Sequence, residues 1–120
     1  MPYPLDDLLD VVLKYKDRIT AIGIMHTTPG IVERCLEILK SKWDGSIYCY
    51  PEIGEYHPPN WTCVRLEEDV WANYVHTWAE MGCCMIGGCC GVMPEDIKIV
   101  DDVVNSINER RELQGKNGVI

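Results

Sequence analysis

Two adjacent cysteines, Cys89 and Cys90, lie in the stretch IGGCCGVMPEDI, which runs from Ile86 to Ile97 and sets them between glycines. Paired thiolates joined by one imidazole make a three-ligand set that suits Zn2+. A fourth position left to water or substrate marks a catalytic zinc site rather than a closed structural one. The competing reading is two small buried side chains, because free cysteine behaves as a small hydrophobe and this chain carries seven of them. Seven is odd, so a closed set of intrachain disulfides leaves at least one thiol over. A redox pair is a weaker reading: adjacent cysteines close only a strained ring, and C-x-x-C is absent.

Positioning such a set falls to the elements around it. Leu5, Leu8, Leu9, Val12 and Leu13 recur at helical spacing, with Asp6 and Asp7 in the first turn and Lys14, Lys16 and Arg18 at the end, matching the helix dipole. Ile19 to Met25 reads as a strand buried on both faces, with His26 at its far end. Thr28 and Pro29 open a second helix running to about Lys42, with Ile31, Cys35, Ile38 and Leu39 on its inner face. Ser46 to Tyr50 is a second strand, and Pro51 to Arg65 reads as a long loop containing Gly54 and Pro58-Pro59. A third helix spans Leu66 to Met81, with Val70, Trp71, Tyr74, Val75 and Trp78 on one side. Cys83 to Ile86 is a third strand, and Pro94 opens a fourth helix reaching Leu113 through Ile97, Val100, Val103, Val104 and Ile107. One domain over 1–113 with a frayed tail over 114–120 is expected.

Strands alternating with helices in this order predict a parallel α/β fold. All strands of a parallel sheet end on one side, where α/β enzymes place their chemistry. His26, Glu52, Glu55, Cys89 and Cys90 all follow strand ends and are candidates for one site. With strands in sequence order the first and third lie about 10 Å apart, a gap an imidazole and thiolates can close. The glycines around the pair free both thiolates to turn the same way. Cys83 and Cys84 lie upstream in the strand, roughly 16 Å away along it, and cannot bind the same ion. Cys35, Cys49, Cys83 and Cys84 read as core; Cys63 has no assigned role; His57 and His76 read as structural. Trp71 and Trp78 read as helix packing, and Trp61 as loop packing or a lid. Three strands covered by helices on one side leave a bare face and two open edges, so the sheet needs something to pack against.

The net charge of −8 argues against nucleic-acid or membrane-surface partners. The first residues lack a signal-peptide pattern, and a reducing cytoplasm is the expected setting, where clustered cysteines point to metal or catalysis.

Three segments together resemble the zinc-dependent homocysteine S-methyltransferase family, which includes betaine-dependent and S-methylmethionine-dependent enzymes. GGCCG followed by P-x-x-I, over Gly87 to Ile97, looks like its C-terminal signature. GIMHTTP from Gly23 to Pro29 resembles its G-V-N-C-T-x-P, and YPEIGE from Tyr50 to Glu55 resembles its Y-P-N-x-G-E. The resemblance implies an eight-stranded (β/α) TIM-type barrel of which this chain holds the last three parallel strands with four helices, completed by oligomerisation or a partner chain. It implies Zn2+ held by His26, Cys89 and Cys90, with Tyr50, Glu52 and Glu55 near substrate or metal. The implied activity is methyl transfer from a donor to a zinc-activated thiol such as homocysteine once the barrel is completed. The alternatives are a non-catalytic zinc-binding assembly subunit or a truncated remnant. Two departures stand out: His26 occupies the place of a cysteine, and Glu52 that of an asparagine.

Overall fold

The computed structural model describes residues 4–115 and Val119. Three parallel strands, β1 (Ala21–Met25), β2 (Ser46–Tyr50) and β5 (Cys83–Ile86), form one sheet in the order β1-β2-β5. Four helices accompany it: α1 (Leu5–Leu13), α2 (Pro29–Lys42), α3 (Glu68–Glu80) and α4 (Pro94–Leu113). This is a mixed α/β arrangement compatible with part of a TIM-type barrel. Among the described residues no helix is long and apolar enough to cross a membrane.

The sequence places the elements well and some of their faces less well. α1 ends at Leu13, so Lys16 and Arg18 fall in a separate 3-10 turn and do not complement its dipole. That turn also delays β1, which starts at Ala21 rather than Ile19. What anchors α1 is Lys42 of α2, whose ammonium lies 2.7 Å from Asp10 and 3.4 Å from Asp6. On α2 the core stripe is Val32, Leu36 and Leu39, while Ile31 is exposed and Cys35 and Ile38 are only partly covered. Both stripes have helical spacing, and only contact with the sheet decides between them. α3 buries Trp71, Val75, Trp78 and Ala79, and Trp78 packs edge-on to Trp71 and stacked on Tyr74. Both tryptophans therefore pack helices, while Val70 is exposed.

The segment read as a loop contains an antiparallel hairpin, β3 (Gly54–His57) and β4 (Asn60–Cys63), turning at Pro58-Pro59. Every residue of β4 is exposed, so that strand lacks the in-and-out burial alternation by which a half-buried strand is recognised. The tail lies mostly outside the described residues, but Val119 is buried and exchanges backbone hydrogen bonds with the Asn108 side-chain amide.

Register explains the two faces of the sheet. Ile24, Cys49 and Ile86 lie side by side and are buried, as is the Ile47–Cys83 pair. The alternate row, Gly23, Tyr48 and Met85 with Met25 and Tyr50 beyond, points the other way. Met25 and Met85 are each 50% exposed and Tyr50 39%. The Tyr48 ring lies over Gly23, where a Cβ would fall 2.3 Å from it. Among the described residues this face carries no helix.

Asp96 binds the hairpin's exit to α4. It is 4% exposed, accepts the Met93 backbone N–H at 2.8 Å as a helix cap, and faces Arg65 at 3.1 Å. Its carbonyl also accepts Trp71 Nε1–H at 3.0 Å. Asp96→Ala removes a cap and strands Arg65. A loss of about 1–3 kcal/mol in urea unfolding is expected, with Asp96→Asn keeping part of it. An unchanged midpoint for the alanine variant would show that the cap contributes nothing.

Candidate metal centre at the strand ends

β1 ends at Met25, and His26 follows with φ 49°, in the left-handed region that a non-glycine residue enters only at a cost. Turning the backbone there throws the imidazole across the end of the sheet rather than along the strand. From the other edge β5 ends at Ile86, and Cys89 and Cys90 come three and four residues later. The segment after β2 bridges the two. Gly87 N–H donates to Cys49 O at 3.1 Å, Cys89 N–H to Pro51 O at 2.8 Å, and Ile53 N–H to Cys90 O at 2.9 Å. On the opposite side Glu52 N–H donates to Thr27 O at 3.1 Å. Main-chain bonds thus hold both loops against Pro51–Ile53.

These constraints bring His26, Cys89 and Cys90 together, with one ligand atom from each lying within 4.8 Å of the others. Among the described residues they are the only such group of three or more metal-ligating side chains. Cys89 Sγ is 3.8 Å from Cys90 Sγ, and 3.4 and 3.8 Å from His26 Nδ1 and Nε2. Tetrahedral zinc, with Zn–S near 2.3 Å and Zn–N near 2.0–2.1 Å, sets two sulfurs about 3.8 Å apart and sulfur and nitrogen about 3.5 Å apart. The donor types and their spacing fit that ion. The Cys90 thiol is held above its ordinary value by its contact with Cys89, by burial, and by the negative charge of Cys89 and Glu52. Its surroundings thus disfavour a second thiolate there unless a cation compensates the charge.

The remaining candidates are spread around this group. Glu52 Oε2 stands 3.4 Å from His26 Nδ1. Tyr50, half-exposed at the end of β2, lays its ring over Gly87, where a Cβ would meet it at 2.5 Å. Glu55 lies on β3 and pairs with His57 at 3.0 Å. A cleft of about 180 Å³ runs beside Glu52 and Glu55, walled by Pro29, Ile53, Leu66 and Tyr74. Cys49 and Cys83 are fully buried, and contact with Cys83 and burial push the Cys49 thiol far up. Cys84 donates to Ile47 O at 3.2 Å where β5 breaks register, and Cys35 is partly covered. Cys63 and His76 are exposed, and all seven cysteines are free thiols.

Sequence reasoning missed the hairpin's part in the site. Gly91, at φ +80°, is pressed against Ile53 and Gly54, and Trp61 lies over Gly54. The glycine after the cysteine pair was the available signal, since a left-handed turn or a close backbone approach calls for it.

A profile of the homocysteine S-methyltransferase family matches residues 4–104, which include all three parallel strands and all three candidate ligands. The chain belongs to the homocysteine S-methyltransferase family. It is 34% identical over 84 residues to homocysteine S-methyltransferase YbgG of Bacillus subtilis (strain 168), a match covering 68% of this chain and 26% of that protein. To the selenocysteine methyltransferase of Astragalus bisulcatus it is 28% identical over 98 residues, 75% of this chain and 28% of the relative. To homocysteine S-methyltransferase 2 of Zea mays it is 25% identical over 100 residues, 80% of this chain and 30% of the relative. The chain thus spans between a quarter and a third of the length of these family members. The family match extends over the strand ends that carry the cysteine pair.

Proposed function

We propose that this chain is the metal-bearing part of a methyltransferase barrel, binding Zn2+ through His26, Cys89 and Cys90 and serving methyl transfer to a thiol when the remaining strands are supplied. The convergence of those three side chains at one end of the parallel sheet carries the reading. The relatives' names, homocysteine and selenocysteine methyltransferases, support a small thiol or selenol amino acid as acceptor. Zinc supplies Lewis acidity that keeps a thiol ionised near neutral pH, and so nucleophilic toward a methyl donor. The chain's own part is to hold two thiols and an imidazole at fixed spacing through the main-chain bonds to Pro51–Ile53. Tyr50 and Glu55 flank the approach and are proposed to contact substrate. A reducing, cytoplasmic setting, in which clustered cysteines serve metal binding rather than cross-linking, is part of this reading.

The open face has the composition of a buried surface. Tyr48, Met25, Met85 and Tyr50 occupy positions that face the interior in a closed barrel, where layers of side chains fill the core. We propose that strands from another chain, or from further copies of this one, cover it.

Light scattering and elemental analysis of one chromatographic peak, under reducing conditions, test both parts. One zinc per chain and a mass above the 13.7 kDa of a monomer are expected. Metal-free protein would overturn the zinc reading, and a folded monomer the self-association. Turnover of homocysteine with S-methylmethionine or betaine should require the missing strands. Zinc uptake without turnover after reconstitution would favour a non-catalytic assembly subunit.

A further inference from the structure

Glu52 lies between the two halves of the site. Its own N–H is tied to Thr27 O at 3.1 Å, and the next N–H, of Ile53, to Cys90 O at 2.9 Å. Its backbone is therefore fixed between the loop that carries the histidine and the loop that carries the thiols. The Glu52 side chain is 23% exposed against 63% for His26, so the exposed imidazole has a more covered carboxylate beside it.

The imidazole has two nitrogens; both lie near Cys89, and one of them also faces a carboxylate. Nδ1 stands 3.4 Å from both Glu52 Oε2 and Cys89 Sγ, while Nε2 is 3.8 Å from Cys89 Sγ. A carboxylate is the stronger acceptor, so it accepts the hydrogen bond of Nδ1–H. A histidine whose one ring nitrogen donates to a carboxylate presents the lone pair of the other. Glu52 does not belong to the group of ligand atoms within 4.8 Å of one another, which places it behind the histidine rather than among the ligands. Charge points the same way: two thiolates and a neutral imidazole only just balance a divalent ion. One adjacent carboxylate leaves an excess negative charge, which makes a bound thiolate more electron-rich.

We propose that Glu52 is a positioning residue that fixes His26 as the Nδ1–H tautomer, aims Nε2 at the metal position and adds one negative charge beside a two-thiolate set. The proposal rests on the zinc reading above and assigns Glu52 a role that acts through His26.

A double-mutant cycle in zinc affinity, measured by competition with a chromophoric chelator, tests it. Glu52→Gln should weaken zinc binding by about 10–100-fold, the cost of losing such an outer partner, while leaving one metal per chain. Cobalt substituted into Glu52→Gln should keep the sulfur-to-metal absorption and coordination number of the unmutated protein. In a His26→Cys background, which keeps a ligand but removes the imidazole, Glu52→Gln should cost several-fold less affinity, because only the through-space charge is then lost and the positioning share, the coupling between the two residues, is gone. An equal loss in both backgrounds, or a cobalt spectrum that changes coordination number, would make Glu52 a ligand in its own right and overturn the proposal. Failure of the underlying zinc reading looks different: the unmutated chain then takes up no metal, and the proposal falls with it.

Discussion

Cys89→Ala and Cys90→Ala are each expected to abolish zinc retention through chromatography. Structural zinc sites contribute roughly 10–16 kcal/mol in all, so one ligand of three or four accounts for about 3–5 kcal/mol, or on the order of 10²–10⁴ in affinity. The remaining thiol and imidazole cannot hold the ion against a modest chelator. Cys63→Ala is the control, since this exposed thiol at the end of β4 lies outside the ligand group. Elemental analysis and chelator competition read both. Zinc content in Cys89→Ala and Cys90→Ala equal to that of Cys63→Ala would remove the pair from the metal site. Far-UV spectra of the variants should match the unmutated chain, because both cysteines sit in a loop after β5 rather than in the core.

Gly91→Ala is expected to damage stability and metal binding together. Two costs combine at this position. At φ +80° an L-residue loses about 1–2 kcal/mol. The added methyl also lands 2.8 Å from Gly54 N and 2.9 Å from Ile53 C. Those are backbone atoms that cannot rotate aside, and overpacking of this kind costs about 1–3 kcal/mol. Relief requires the hairpin to move off the cysteine loop, which strains the Ile53 N–H to Cys90 O bond. Gly82→Ala separates the two costs: it has φ +102° but nothing within 4 Å of its added Cβ. Urea unfolding should therefore show a loss of about 2–5 kcal/mol for Gly91→Ala and only the backbone share for Gly82→Ala. Zinc affinity should fall for Gly91→Ala alone. Equal losses in the two variants would mean that the hairpin does not brace the site.

The same two residue groups show how legible this protein is. His26 and the cysteine pair are 63 positions apart, measured from His26 to Cys89, yet their meeting follows from elements that local patterning reveals. Short apolar runs alternate with helical stripes, a parallel sheet collects strand ends on one side, and neighbouring strands bring those ends within reach. The order β1-β2-β5 is the one that sequence-adjacent strands imply. Glycines flanking Cys89 and Cys90 mark a loop rather than a continued strand, which is why both thiols can turn inward.

Other features carry no local mark. α2 holds two apolar stripes with helical spacing, Ile31-Cys35-Ile38 and Val32-Leu36-Leu39, and only packing against the sheet and α3 selects the second. The hairpin is exposed on every residue of β4, so no burial rhythm distinguishes it from a loop. Its strands exist because each pairs with the other, a non-local bond pattern that individual residues do not announce. The left-handed backbone of His26 is likewise invisible in composition, since histidine has no preference strong enough to predict it.

By itself, then, the amino-acid order determined the alternating α/β architecture and the placing of one imidazole and two thiols just past strand ends on the same side of the sheet. These follow from periodicity and residue type, which are local properties of the chain. Only the tertiary structure decided which helix faces are buried, that a hairpin packs against the cysteine loop at Gly91, and that Glu52 stands beside His26. Each of those depends on contacts between segments far apart in sequence, where the winning arrangement is set by packing and by main-chain hydrogen bonds rather than by the preference of any one residue.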